Sequence, residues 1–189
     1  MDSFFTDKVY KNKDYTKSPL TKGEYDHCTF INCDFSHSDL SHITFLECEF
    51  QDCNWSMVRL NDVSLNEVLF RDCKLLGVHF SNCNTFLFHV NFNKCQLNLA
   101  SFYQLKLIGK TFKDCSLHEV DFTQSNLSKT IFDNCDLSRA VFEQSNLEKT
   151  DFRTAYHFSI DPELNKMAKA KFSKENLKGL LERYGLEVE

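Results

Sequence analysis

No stretch of this sequence approaches the ~18 consecutive apolar residues that read as a membrane span. The first residues, Met1-Asp2-Ser3-Phe4-Phe5-Thr6-Asp7-Lys8, show no cationic segment followed by an apolar one. The expectation is a cytoplasmic protein with no membrane partner. Positive charge is also scarce: a formal net charge of −5 and an isoelectric point near 5.8 argue against direct binding to nucleic acid or to an anionic surface. Three familiar catalytic signatures are missing: a Gly-rich phosphate loop, His-Glu-x-x-His and Gly-x-Ser-x-Gly. The seven histidines (27, 37, 42, 79, 89, 118, 157) are scattered, mostly in polar slots that face outward. We therefore expect no enzymatic activity and no cofactor. At 189 residues, 42% of them hydrophobic, one folding unit with a long thin core is expected.

What the chain does have is a period. From residue 97 to 152 every fifth residue is Leu or Phe in alternation: Leu97, Phe102, Leu107, Phe112, Leu117, Phe122, Leu127, Phe132, Leu137, Phe142, Leu147 and Phe152. Two positions before each sits a mostly small residue, and most of the rest are polar. A helix repeats at about 3.6 residues and a strand at 2, so a period of five smears around one and flips faces on the other. Short fixed periods belong to solenoids, whose units bury their apolar side chains only by stacking on neighbours. The true unit is twenty residues: Cys33, Cys53 and Cys73 are spaced by twenty, as are Cys95, Cys115 and Cys135, with a gap of twenty-two between the two sets. One two-residue insertion places Phe30, Phe50, Phe70, Phe92, Phe112, Phe132 and Phe152 on a single core ladder. Four five-residue sides then make one coil, with column-mates at the ~4.8 Å spacing of adjacent strands.

Nine cysteines invite a disulfide or metal reading, but all nine occupy the same small position, two before the bulky residue. Cys there acts as a small buried hydrophobe. Parallel side chains ~4.8 Å apart hold Cβ atoms wider than a disulfide prefers, and a ladder is the wrong shape for tetrahedral zinc. No metal is expected.

Asn126-Leu127-Ser128, Asp136-Leu137-Ser138 and Asp121-Phe122-Thr123 resemble the repeat of the pentapeptide-repeat family, and the likeness covers roughly residues 20–155. The resemblance implies an all-β solenoid, a right-handed quadrilateral parallel β-helix. The expected organisation is an irregular N-terminal cap over 1–19, the coil over 20–155 with its insertion near 84–89, and a short α-helical C-terminal module over 156–189. Lys8 and Lys13 occupy the inward position, where an ammonium is not buried unpaired, which favours the cap. Phe86, Leu87 and Phe88 cannot all point inward, so at least one is a candidate contact, although a bulge is the expected form of the insertion. Lys110 and Leu105 are misfits at inward positions; Lys110 is expected to snorkel.

Asp161-Pro162 reads as a helix start, with Leu164, Met167 and Ala168 at helical spacing. Ser173 caps a second helix whose apolar face is Leu177, Leu180, Leu181 and Tyr184, Gly185 offers a stop, and the last four residues alternate like a short strand. This tail either plugs the last coil or joins two copies. It resembles the C-terminal module of the topoisomerase-binding Qnr and MfpA members, which implies a homodimer through those four residues.

Charge is uneven along the coil. Residues 20–90 carry ten acidic against four basic residues, a net of −6, whereas 91–155 balance at eight each. Glu47 and Glu67 stack at one corner of the main Phe face, Asp52 and Asp72 at the other, with Glu49 between and Asp114 extending the second corner. The resemblance to Qnr and MfpA implies that this acidic strip on a rigid rod mimics DNA. Its partner would be a type II topoisomerase, DNA gyrase or topoisomerase IV, with protection against quinolones or a peptide toxin. The alternative is a structural or adaptor protein that presents its repeat surface to an unrelated protein.

Overall fold

Each five-residue unit builds one straight side and one corner. Where Asp or Asn precedes the bulky residue, its carboxylate or amide oxygen accepts the N–H two residues on: Ser36 to Asp34 at 2.9 Å, Thr123 to Asp121 at 2.9 Å, Ser128 to Asn126 at 3.1 Å and Ser138 to Asp136 at 3.1 Å. This local turn bends the chain just after the buried Leu or Phe. Many corners are then closed by a residue in the left-handed conformation, such as Glu47 (φ 50°), Asp52 (φ 53°), Leu99 (φ 60°) and Lys129 (φ 62°). Such a residue costs about 1–2 kcal/mol unless it is glycine. Its N–H recovers part of that by donating to the next rung, as Glu47 does to the Asn66 carbonyl at 2.9 Å.

The computed structural model describes residues 3–186, apart from the side chain of Leu87. The chain winds as a four-sided parallel β-helix. Its first wall carries β1 (Ser3–Thr6), β3 (Gly23–Asp26), β5 (Thr44–Leu46) and β7 (Ser64–Asn66) as a four-stranded parallel sheet. The second wall carries β2 (Val9–Lys11), β4 (Thr29–Ile31), β6 (Glu49–Gln51), β8 (Val68–Arg71), β9 (Val90–Asn93), β10 (Thr111–Lys113) and β11 (Ile131–Asp133) as a seven-stranded one. Partners are offset by twenty residues, as in Phe30↔Phe50, except Phe70↔Phe92 across the insertion. The third and fourth walls are held by isolated parallel bridges, for example Asp34↔Asn54↔Lys74↔Gln96 and Ser101↔Asp121↔Val141. Cys33, Cys53 and Cys73 share one wall, as the period requires.

The core is a set of stacked columns. On the second wall Tyr10, Phe30, Phe50, Phe70, Phe92, Phe112, Phe132, Phe152 and Phe172 form an unbroken stack, with centroid spacings from 4.7 to 5.5 Å and interplanar angles of 7–15°. Phe80, Phe102, Phe122 and Phe142 stack likewise on the fourth wall, edge-on to the first set. All nine cysteines are free and buried. Seven of these thiols, all but Cys83 and Cys115, also donate to a carbonyl one rung back: Cys53 Sγ to Phe30 at 3.4 Å, Cys73 to Phe50 at 3.3 Å and Cys135 to Phe112 at 3.3 Å are examples. Thr130, Thr150 and Ser145 do the same with hydroxyls, to Leu107, Leu127 and Phe122 at 2.7, 2.7 and 2.6 Å. Cys, Ser and Thr are interchangeable here because each is small and each donates to a buried carbonyl that would otherwise lack a second partner. Burial pushes the Cys48 thiol up to about 12, so it stays protonated as a donor.

Four expectations need correction, the form of the insertion among them. The first residues are not an irregular cap: β1 pairs in register with β3, and β2 with β4, so residues 3–15 form a regular first rung. Lys8 and Lys13 fit because, among the described residues, no rung stacks on this side of them; both are exposed, and the Lys8 ammonium lies 4.9 Å from the Phe5 ring centroid. The coil does not stop at 155 either. Lys166 and Lys171 bridge to Asn146 and Asp151, and Phe172 stacks on Phe152 at 5.2 Å. The five-residue beat, carried by Met167 and Phe172, overrides the local helix signal at Asp161-Pro162. The helical content of the tail is consequently two 3-10 turns, Leu177–Leu180 and Glu182–Tyr184, with no α-helix among the described residues.

Those turns cross the end of the coil. Asn176 Nδ2 donates to the Ala155 carbonyl at 2.7 Å, Ile160 N–H to the Gly179 carbonyl at 2.9 Å, and Leu180 packs on the core. Gly185 follows with φ 61°. The alternation expected at the last four residues falls, beyond Leu186, outside the described residues.

The insertion is a compact turn rather than a ladder bulge. Asn84 Oδ1 accepts the Phe86 N–H at 3.1 Å, a 3-10 turn spans Thr85–Leu87, and His89 donates to the Leu65 carbonyl at 2.8 Å. It takes the place of a fifth strand on the first wall. Lys110 lies on the rung beyond, half-buried, its pKa lowered by burial. That fits a snorkelling lysine next to a disturbed rung.

Candidate functional surface

The structure brings the six acidic residues to one wall. Glu47 and Glu67 occupy successive left-handed corners at one edge of the second wall; Asp52, Asp72 and Asp114 occupy corners at the other edge; Glu49 stands between, in β6. Corner carboxylates point outward because the residue after them is the inward small position. Two cations interrupt the strip: Arg71 Nε lies 3.1 Å from Glu49 Oε1, and Lys94 takes the corner between Asp72 and Asp114. Glu47 also receives His27 Nε2 at 3.0 Å, while His27 Nδ1 meets Asp26 at 2.7 Å. These partners, Asp26 first and Glu47 second, raise the His27 pKa. Asn134 Nδ2 donates to Asp114 Oδ1 at 2.7 Å. Asp52 and Asp72, with Asn32, Asp34, Asn54 and Lys74, line a shallow recess.

The loop residues divide. Phe86 is 89% exposed, whereas Phe88 is buried against Phe80, with centroids 5.9 Å apart, and is a core residue rather than a contact. The Leu87 side chain lies outside the described residues. In the tail Leu177 and Tyr184 are exposed and Leu180 and Leu181 half-buried; Tyr184 donates to Glu163 Oε1 at 3.1 Å. No group of His, Cys, Asp and Glu with metal-holding geometry occurs among the described residues.

One feature escaped the sequence reading. The corner that carries Glu47 and Glu67 carries Lys129, Lys149 and Lys169 further along, all left-handed. A charge count of 91–155 balances and hides it. The twenty-residue spacing of the three lysines, read as a column, would have found it.

The family model described as a pentapeptide repeat region matches residues 24–86 and 85–156. No curated protein matches the chain by sequence. Among solved structures, full-length QnrB1, a plasmid-mediated fluoroquinolone resistance protein, superposes with a TM-score of 0.52 at 17% identity, covering 97% of this chain and 100% of QnrB1. A trypsin-treated form of QnrB1 gives 0.50 at 20% identity, covering 99% and 100%. HetL from the cyanobacterium Nostoc, a pentapeptide repeat protein involved in heterocyst differentiation regulation, gives 0.45 at 15% identity, covering 89% and 86%. A repeat model spanning most of the coil, on a structure built from the stacked five-residue sides that such a repeat requires, makes this chain a member of the pentapeptide-repeat family.

Proposed function

We propose that the protein is a protein-binding rod whose partner is a type II topoisomerase, engaged through the acidic strip. The observation that carries this reading is the stacking of carboxylates along both edges of one rigid wall. Corner side chains one rung apart sit at the ~4.8 Å strand spacing, so their field adds along the rod and favours a basic groove. The reading also draws on the likeness in fold to QnrB1, described as a plasmid-mediated fluoroquinolone resistance protein.

The test is supercoiling by purified gyrase at a fixed inhibitory dose of ciprofloxacin, with and without this protein. Supercoiling is expected to recover at low micromolar protein and to be lost for the Asp52→Lys/Asp72→Lys double variant. No change at micromolar wild-type protein would sink the reading.

A second reading, an adaptor for an unrelated protein, draws on the lysine corner, which a duplex mimic has no use for. Capture from the native cell separates the two: gyrase or topoisomerase IV subunits favour the first, other proteins the second.

A further inference from the structure

The edge between the first and second walls changes sign halfway along the rod. Its left-handed corners run Asp7, His27, Glu47 and Glu67, then, beyond the insertion, Gly109, Lys129, Lys149 and Lys169. Strand register joins the two halves into one corner column: Val68 pairs with Val90 and Phe92 with Phe112, which puts Glu67, His89 and Gly109 in line, and Gly109, Lys129 and Lys149 N–H donate to the next rung at Ser128, Glu148 and Ala168 at 2.9–3.0 Å. Outward positions of the first wall follow the same division, with Glu24 and Asp26 in the first half and Lys106 and Lys166 in the second, Glu148 excepted. At the boundary two apolar side chains stand in solvent on successive rungs: Phe86, 89% exposed, and Ile108, 48% exposed. Beside them Gly109 leaves open space, since a Cβ built there meets nothing within 4 Å.

We propose that two copies of this chain pair side by side and antiparallel along this edge, about a two-fold axis between the Phe86 and Ile108 rungs. The pattern is self-complementary only in that orientation. Parallel pairing in register sets Glu on Glu and Lys on Lys. The two-fold sets Glu67 against the partner's Lys129 and Glu47 against the partner's Lys149, each pair made twice, as an isologous contact requires. The spacing matches without adjustment, because both chains are ruled at the same rung interval. The same axis places Phe86 on the partner's Ile108. Exposed ion pairs are individually weak, so the charges fix orientation and register while the aromatic residue at the centre supplies the buried apolar contact. The contact takes up the Glu47 and Glu67 edge of the acidic strip and leaves the Asp52, Asp72 and Asp114 edge open, so it is independent of the tail but competes with a topoisomerase for the first edge.

Sedimentation of the full chain tests it. At about 50 mM salt and roughly 100 μM protein the wild type is expected to sediment as a dimer, weakening at about 500 mM as screening shortens the reach of the corner charges. Glu47→Lys/Glu67→Lys and Lys129→Glu/Lys149→Glu should each be monomeric alone, yet form a heterodimer when mixed, a rescue that misfolded variants cannot give. Phe86→Asp should weaken the dimer at least about tenfold. A wild type that stays monomeric overturns the proposal. So does a dimer that survives both corner variants but dissociates on Leu177→Asp/Tyr184→Asp, because the contact then lies at the end of the rod.

Discussion

Phe112→Ala should lower the unfolding free energy by about 3–5 kcal/mol. The ring is fully buried, stacked between Phe92 at 5.3 Å and Phe132 at 5.2 Å, and edge-on to Phe102 and Phe122 at 5.7 and 5.9 Å. Cavities cost least where the surroundings can collapse, and here they cannot. The rungs on either side are pinned by β9–β10 and β10–β11 pairing and by the Cys135 thiol on the Phe112 carbonyl. The column therefore keeps its spacing and the void remains. Phe86→Ala is the control, measured at protein concentrations low enough to keep the chain monomeric, because in the single chain its ring stands in solvent; surface changes of that kind stay within about 0.5 kcal/mol. Urea unfolding of both variants checks the pair. A Phe112→Ala cost below about 1 kcal/mol would mean that the ring is not stacked on both sides.

Gly179→Ala should undock the tail. A Cβ at this position meets the Phe158 carbonyl oxygen at 2.2 Å and two atoms of the Phe158 ring at 2.7 Å. The oxygen is backbone and cannot rotate away, so the turn Leu177–Leu180 has to lift. With it go the Ile160 bond to the Gly179 carbonyl, the Asn176 bond to Ala155 and the cover over Phe158, Ile160 and Phe172. Inserting a group into such a site costs about 1–3 kcal/mol. Limited trypsin digestion reads the effect locally: cleavage at Lys174, Lys178 and Arg183 should quicken well before the coil is cut. An unchanged digestion pattern would contradict the view that the tail is held on the last rung.

The coil was legible because its signal is redundant. Twelve consecutive Leu or Phe residues at one spacing and two sets of cysteines at another leave no other regular structure that buries them together. The insertion was placed for the same reason, from the twenty-two-residue gap between Cys73 and Cys95. Both ends were misread, and by opposite routes. At the start, Lys8 and Lys13 looked incompatible with an inward position, but a terminal rung has an open side, so inward there means solvent. At the finish, Asp161-Pro162 carried a local helix signal that lost to stacking, because Met167 and Phe172 still met column-mates Leu147 and Phe152. Local preference is worth tenths of a kcal/mol per residue, and burying a phenylalanine on a stack is worth more. The acidic strip was placed from the period alone. Its lysine counterpart was missed because charge was summed along the chain, whereas the fold sums it down columns.

The walls, the corner columns and both proposed contacts all depend on one twenty-residue circuit per rung. Electron–electron distances between spin labels on one edge test it directly. His42, Gln104, Gln124 and Gln144 share the corner between the fourth and first walls, away from the proposed contact edge, and all are exposed. With one label at His42 and the second moved from Gln104 to Gln124 to Gln144, each twenty-residue move should lengthen the distance by one rung, ~4.8 Å. Distances that fail to grow in equal steps, or that shrink along the series, would contradict a chain wound as a square coil.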